Sequence, residues 1–133
     1  VEIRVCDIPI NFKEIIALVA LIQALVVTLT ELDSYQDTHI QILQSNKWQA
    51  ARYGLDGIFV DPKTLKKLSM KKAIENLFIL VEPAITSLDL KKHLDILEKI
   101  LNTSSGSDKQ RKLYASSKNF EHMLKALKEQ FYQ

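Results

Sequence analysis

The sequence predicts a mainly α-helical fold, with one N-terminal β-strand followed by about five helices. Apolar residues recur at intervals of three and four through most of the chain, which is the spacing of an amphipathic helix. Residues 1–8, VEIRVCDI, instead alternate with the two-residue period of a strand. The connections between the predicted helices are short, which favours a bundle of mostly antiparallel helices over residues 11–133.

The composition indicates a single globular domain, or a fragment of one. Of its 133 residues, 47% are hydrophobic and 26% are charged, so a sizeable core is expected. The net charge of +2 provides no strong field for a nucleic-acid partner, and none is predicted. The single cysteine, Cys6, cannot form an internal disulfide, which predicts a cytoplasmic setting and a buried or half-buried structural role for Cys6.

The first helix is predicted to begin after Pro9, because Asn11 and Glu14 have the spacing of a capping box. Residues 15–30 then carry no charge. This run is shorter than the roughly 20 residues that cross a bilayer, and polar residues dilute it. We therefore expect a central helix that is covered on all sides and no membrane partner, with a membrane span as the alternative.

A second helix, capped by Ser34, is predicted to lead into the segment NKWQAARYGLDG at residues 46–57. Helical spacing places Asn46 and Tyr53 on one face, with Arg52 beside them. Gly54 is expected to end the helix, since glycine adopts a positive φ at little cost. The simpler alternative is a surface helix that ends in a basic residue.

The rest of the chain is predicted to be helical after a short extended segment at 57–60 and a turn at Asp61-Pro62. A helix from Ser69 is expected to be kinked or divided by Pro83. Five lysines interleaved with apolar residues indicate a solvated helix face. The lysines are Lys63, Lys66, Lys67, Lys71 and Lys72. A leucine stripe over 90–101 and an amphipathic stretch over 120–131 complete the bundle.

The polar loop at 102–107 precedes a candidate anion site. Asp108 is predicted to cap the following helix, and Arg111 lies one turn inside it. The N–H groups of a helix N-terminus attract phosphate, so this loop is a candidate anion cradle; an ordinary capped loop is the alternative.

Three segments, in order along the chain, carry a resemblance to a known family. They are VEIRVCD at residues 1–7, NKWQAARYGLDG followed by Asp61-Pro62, and GSDKQR at residues 106–111. Together they resemble the C-terminal portion of the bacterial carboxylate-amine ligases, the type-two glutamate-cysteine ligase family.

The resemblance implies a glutamine-synthetase-like α+β catalytic domain, of which this chain would supply the last catalytic strand and the helical part. It also implies an ATP- and Mg²⁺-dependent ligase of glutathione biosynthesis, which joins glutamate and cysteine through an acyl phosphate. Most of the catalytic sheet would be missing, so the isolated chain is predicted to be inactive.

The resemblance also implies roles for individual residues. Arg52 and Arg4 would be catalytic contacts, Asn46, Tyr53 and Arg111 would bind nucleotide or substrate, and Glu2 would bind Mg²⁺. We therefore expect the guanidinium groups of Arg4, Arg52 and Arg111 to converge on one polyphosphate. The alternative is a non-enzymatic helical interaction module, such as a homodimer formed by strand or domain exchange.

Overall fold

A computed structural model of the chain describes residues 3, 6, 9–32 and 38–132. That part of the chain is mainly helical, which confirms the predicted fold class, and it contains six helices rather than about five. The helices are α1 (Phe12–Glu31), α2 (Ile40–Tyr53), α3 (Met70–Ser87), α4 (Lys91–Asn102), α5 (Gly106–Ser117) and α6 (Phe120–Gln130). Two short strands, β1 (Ile58–Val60) and β2 (Lys67–Ser69), form an antiparallel sheet.

Most of the predicted N-terminal strand, namely residues 1, 2, 4, 5, 7 and 8, lies outside the described residues. The same holds for Ser34, the predicted cap of the second helix. Residues 38 and 39 are not helical, and α2 begins at Ile40 with His39 as its N-cap, so the prediction that Ser34 caps this helix is wrong.

The chain divides into two compact units, residues 1–22 with 90–133, and residues 23–89. In the first unit, α5 packs against α6. In the second unit, α2 and α3 both pack against the hairpin of β1 and β2. That the whole chain forms a single domain stays a prediction.

Helix α1 begins where the sequence predicts, but it is covered on one side only. The Asn11 side chain accepts a hydrogen bond from the Lys13 backbone N–H at 2.8 Å, which caps the helix. Small or polar residues make up the buried face, namely Ala17, Ala20, Ala24 and Thr28. The larger Phe12, Val19 and Leu29 are exposed. The expectation of a helix covered on all sides is therefore wrong for the described chain, because its neighbours pack against only this small-residue face.

Within the described residues, α1 is also the one helix that is long and apolar enough to cross a membrane, judged by length and composition alone. Only 22% of its most apolar window is buried. A core helix of a soluble protein passes the same test, so the membrane span remains an alternative.

The prediction that the lysines at 63–72 lie on one helix face is wrong. Asp61 and Pro62 start a turn that reverses the chain, and β2 then pairs with β1 in the register Ile58↔Ser69 and Val60↔Lys67. The side chain of Asp61 accepts hydrogen bonds from the backbone N–H groups of Lys63 and Thr64, both at 2.8 Å. These bonds and the strand pairing override the helical spacing of the lysines, so only Lys71 and Lys72 are helical.

Helix α3 has the predicted start. Ser69 caps it by accepting a hydrogen bond from the Lys72 backbone N–H at 3.2 Å. Its buried residues are Met70, Phe78, Val81, Ala84 and Ile85. Pro83 lies inside the helix without dividing it, so of the two predicted outcomes the division is wrong and the kink stays a prediction. Proline deprives the carbonyl four residues earlier of its partner, but Ile79 is 70% exposed, so water can hydrate that carbonyl.

Cys6 is a free and exposed thiol. The expectation that it is buried or half-buried is therefore wrong. A structural role in a core does not follow from this exposure.

Candidate functional site

The segment at 46–57 begins with a buried asparagine that binds strand β1. Asn46 is only 9% exposed. Its Nδ2 donates to the carbonyl oxygen of Val60 at 2.8 Å, and its Oδ1 accepts from the backbone N–H of Val60, also at 2.8 Å. The amide thus pairs with Val60 as a neighbouring strand would. This arrangement gives Asn46 a structural partner, while its predicted role in substrate binding stays a prediction.

Gln49 extends this contact by one helical turn. Its Oε1 accepts a hydrogen bond from the backbone N–H of Ile58 at 3.2 Å. Because alternate N–H groups of a strand point the same way, Asn46 and Gln49 together bind the edge of β1 that faces α2. We call these three hydrogen bonds the α2–β1 clamp. Gln49 was not among the predicted site residues, although its three-residue spacing from Asn46 places both amides on one face.

Two glycines make the tight connection from α2 to β1 possible. Gly54 ends α2, as predicted, with a φ of 56° and a ψ of −129°, and its N–H donates to the carbonyl of Ala50. This backbone conformation is strained for any residue with a Cβ. At Gly57 the constraint is space, because an added Cβ would lie 3.0 Å from the backbone oxygen of Gln49.

The exposed side chains of the same segment include two aromatic rings and an arginine. Trp48 is 55% exposed and Tyr53 is 49% exposed. Their rings meet edge to face, with centroids 5.5 Å apart and an interplanar angle of 82°. Arg52 is exposed in the last turn of α2, four residues after Trp48. In the described part of the chain, no carboxylate oxygen forms an ion pair with its guanidinium. We call Trp48, Arg52 and Tyr53 the aromatic–arginine cluster.

The second predicted site, around Arg111, is engaged in local contacts. Ser105, not Asp108, is the N-cap of α5, and its side chain accepts from the Asp108 backbone N–H at 3.3 Å. Asp108 is the third residue of the helix, and its carboxylate accepts from the Ser105 backbone N–H at 3.1 Å. The prediction that Asp108 caps α5 is therefore wrong, because Ser105 and Asp108 form a reciprocal capping box.

Arg111 is held by the same carboxylate. Its Nη1 lies 2.9 Å from Oδ1 of Asp108, although the arginine side chain remains 71% exposed. The hydrogen bonds from Ser105, followed by the charges of Arg111 and Lys112, lower the pKa of Asp108. Asp108 thus carries its negative charge at the N-terminus where an anion was predicted, and a bound phosphate would have to compete with it.

The expected convergence of three arginines stays a prediction. Arg52 belongs to the unit of residues 23–89 and Arg111 to the other unit. Arg4 and Glu2 lie outside the described residues. Among the residues that are described, no group of three His, Cys, Asp or Glu side chains could hold a metal ion.

Two open grooves lie in the unit of residues 1–22 and 90–133, and they have volumes of about 340 and 460 Å³. The first is lined by Phe12, Lys13, Ile16, Lys92, His93 and Ile96, and the second by Pro9, Ile10, Leu127, Lys128, Phe131 and Tyr132. Neither groove is lined by a predicted site residue.

The aromatic–arginine cluster consists of the three residue types that are most enriched at the energetic centres of protein interfaces. The family model of glutamate-cysteine ligase family 2 matches residues 1–130, and the chain therefore belongs to that family. This finding confirms the resemblance carried by the three sequence segments.

Proteins similar to this chain include one from Gloeobacter violaceus, which is 32% identical over 90% of this chain. One from Chloroflexus aurantiacus is 30% identical over 87% of the chain, and one from Sorangium cellulosum is 28% identical over 98%. Each carries the name "Putative glutamate--cysteine ligase 2". The chain spans about a third of the length of these relatives, namely 33%, 31% and 36%.

Proposed function

We propose that this chain is the C-terminal part of an ATP-dependent ligase that forms an amide bond between the γ-carboxylate of glutamate and the amine of cysteine. The observation that carries the proposal is the family match, which spans residues 1–130 and so includes the aromatic–arginine cluster. The names of the similar proteins support the same substrates. The proposal also includes a cytoplasmic setting, a place in glutathione biosynthesis, and the absence of nucleic-acid and membrane partners.

The reaction passes the γ-phosphoryl group of ATP to a carboxylate oxygen, so that ADP leaves and an acyl phosphate forms. The amine then attacks the acyl carbon, phosphate leaves with the C–O bond electrons, and the amine loses a proton. Both steps develop negative charge on phosphoryl oxygens, which fixed cations stabilise. Arg52 and Arg4 are the side chains that we propose for this role, with Tyr53, Asn46 and Arg111 binding nucleotide or substrate.

The residues of this chain fit ATP better than they fit Mg²⁺. Arg52 is exposed and forms no ion pair with the described carboxylates, so it is available to a phosphate. Mg²⁺ requires several oxygen ligands, and the described residues offer no cluster of three candidate ligands. Glu2 would supply one carboxylate, and further ligands would have to come from outside this chain.

The experiment that tests the proposal measures ATP-dependent ADP release with glutamate and cysteine. We expect no turnover from the 133-residue chain alone, because it spans about a third of its relatives. We expect turnover from a chimera in which the chain replaces the matching segment of the Gloeobacter violaceus relative.

Within that chimera, Arg52→Gln should lower kcat by about 10²- to 10³-fold, the typical loss for one transition-state contact. The matched control is Lys99→Gln, which removes another cation from the last turn of a helix and should leave kcat unchanged. Turnover by the isolated chain would contradict the prediction of an inactive fragment. Full activity of the Arg52→Gln chimera would contradict the assignment of Arg52.

A second candidate function, an interaction or homodimerisation module, is supported by the exposed apolar side chains of the helices. Leu29 in α1 and Ile79 in α3 are examples. Large apolar side chains at the surface favour association with another protein surface. Light scattering over a range of protein concentrations tests this candidate, and a monomer at every concentration would exclude the homodimer.

A further inference from the structure

The outer face of α2 has two properties that the proposed reaction does not explain. Trp48 is the only tryptophan of the chain, and about half of its surface faces solvent, at 55% exposure. While the indole and the phenol are exposed, the favourable free energy of burying them is not gained. Each ring could bury about 150–250 Å² in a contact. A ligand that stacked on the open indole surface would recover this energy.

The charge of α2 points to an anionic ligand. Its fourteen residues, IQILQSNKWQAARY, include Lys47 and Arg52 and no acidic residue. Trp48 and Arg52 are four residues apart, so their Cβ atoms lie about 5–6 Å from each other on one helical face. A planar ring on the indole and a phosphate on the guanidinium fit this spacing, because phosphate accepts the paired N–H groups of arginine.

The backing of the cluster is rigid. The α2–β1 clamp ties α2 to Val60 through two hydrogen bonds of 2.8 Å. Gly54 ends the helix directly after Tyr53. The edge-to-face contact at 5.5 Å also orients the Trp48 ring. A site held in place by such contacts loses little conformational entropy when a ligand binds.

We propose that Trp48, Arg52 and Tyr53 form a nucleotide platform, in which the purine base of ATP stacks on the indole of Trp48 and its phosphates bind Arg52. The proposal rests on the proposed function, which requires ATP, and it adds Trp48 as the residue that recognises the base. Tyr53 orients the indole. Base stacking on an aromatic side chain contributes about 1–3 kcal/mol.

The test uses the complete 133-residue chain and the signals of its single tryptophan, namely its fluorescence and its indole N–H resonance. ATP should change both signals in a saturable way. Adenosine should do so more weakly, and tripolyphosphate should leave the indole signals nearly unchanged. Arg52→Gln should weaken the binding of ATP by about tenfold or more while leaving the binding of adenosine unchanged, because a charge-assisted hydrogen bond is lost. Tyr53→Leu should weaken both.

Two matched controls accompany these variants. Tyr114→Leu disrupts a comparable aromatic pair, Tyr114 and Phe120, whose centroids are 4.6 Å apart. Lys99→Gln removes a comparable cation at the end of a helix. Neither should alter the titration. The platform is refuted if ATP up to about 10 mM, well beyond even weak binding, leaves the Trp48 signals unchanged. An equal response to tripolyphosphate would refute the stacking of the base.

The chimeric ligase separates this proposal from the proposed function. There, Trp48→Ala should raise KM for ATP by about tenfold, as the loss of one stacking contact predicts, with KM for glutamate unchanged. An active chimera whose KM for ATP does not respond to Trp48→Ala would overturn the platform alone. Saturable ATP binding at Trp48 in a chimera without ligase activity would overturn the ligase function alone.

Discussion

The Asn46 side chain takes the place of a neighbouring strand for one residue of β1. Its donor and its acceptor both bind Val60, each at 2.8 Å. A buried amide is tolerated only when its polar groups form hydrogen bonds. The backbone groups of Val60 likewise have their hydrogen bonds through this amide. Loss of the amide would leave the N–H and C=O groups of Val60 without these partners.

We therefore predict that Asn46→Leu destabilises the chain by about 2 kcal/mol, since two hydrogen bonds disappear and a polar group is left without a partner. Urea unfolding, followed by circular dichroism, measures the free energy of unfolding. Gln44→Leu, at an exposed position of the same helix, is the matched control and should change stability by less than about 0.5 kcal/mol. Equal stability of the two variants would show that the two hydrogen bonds of Asn46 contribute nothing.

Leu65 stores strain at the tip of the hairpin. It has a φ of 58°, and its side chain is 65% exposed. A residue with a Cβ is destabilised by about 1–2 kcal/mol in the left-handed conformation, whereas glycine is not.

We predict that Leu65→Gly stabilises the chain by about 0.5–1 kcal/mol, after allowing for the larger entropy that glycine brings to the unfolded state. Thermal unfolding measures the shift in Tm. Leu65→Ala is the control: it keeps the Cβ and should leave Tm nearly unchanged, because the leucine side chain packs little. A lower Tm for Leu65→Gly would mean that the exposed side chain contributes more than the strain costs.

Local residue geometry could be predicted from sequence where it depends on chain neighbours. The positive φ of Gly54 and the capping role of Asn11 are of this kind. The partner of Asn46 could not be predicted, because Val60 is fourteen residues away and reaches the amide only after the chain has reversed. Helical spacing shows which side chains share a face, but it does not show what covers that face.

Among the elements, the hairpin departs most from the prediction. The lysines and leucines over 63–72 have the spacing of an amphipathic helix. Asp61, however, fixes the turn with two side-chain hydrogen bonds, and its backbone N–H donates to the Lys66 carbonyl at 2.9 Å. A turn signal followed by ten residues of amphipathic spacing is compatible with a helix and with a hairpin. The pairing with β1 decides in favour of the hairpin.

The hairpin turn and the start of α5 should both weaken in acid. Backbone hydrogen bonds from Thr64 and Lys63 lower the pKa of Asp61 below its ordinary value of 3.8, and hydrogen bonds from Ser105 lower the pKa of Asp108 below the same value. A carboxyl group with a lowered pKa stabilises the folded state above its unfolded pKa. That contribution is lost as the pH falls from 3.8 through the lower folded value.

We predict that the double variant Asp61→Asn, Asp108→Asn shows a smaller loss of stability than the natural chain when the pH is lowered below 3.8. Asparagine keeps an acceptor oxygen at each position but does not titrate. The measurement compares Tm at neutral pH and below 3.8, with the exposed Asp56→Asn as the control. Identical acid sensitivity in the double variant and the natural chain would contradict the prediction.

At the scale of the whole molecule, the described residues include few large side chains that are fully buried. In the described part, the largest fully buried ones are Ile85, Leu94 and Val81, whereas Leu29 and Ile79 are exposed. A chain that spans about a third of its relatives would be expected to leave apolar surface that the rest of a longer protein could cover.

We predict that the purified chain self-associates as its concentration rises, since exposed apolar area favours contact with a second copy. The double variant Leu29→Lys, Ile79→Lys should shift this association to higher concentration without lowering Tm, because both side chains already lie at the surface. Static light scattering measures the change. Lys125→Gln, at another exposed position, is the control. Unchanged association in the double variant would place the contact elsewhere.

The fold class and the family could be predicted because they rest on helical periodicity and on three local segments. The one-sided cover of α1 could not be predicted. A charge-free run has the same composition whether neighbours pack on every face or only on Ala17, Ala20 and Ala24. Which faces of α1 are covered depends on residues distant in sequence, and the local pattern of apolar residues does not show where those residues pack.

The α2–β1 clamp has a consequence for how this chain can aggregate. Strand addition needs free backbone N–H groups, and those of Ile58 and Val60 are already bound by Gln49 and Asn46. The opposite side of the hairpin presents an exposed lysine, Lys67, whose charge discourages another strand. We therefore expect the hairpin to be a poor seed for cross-β growth.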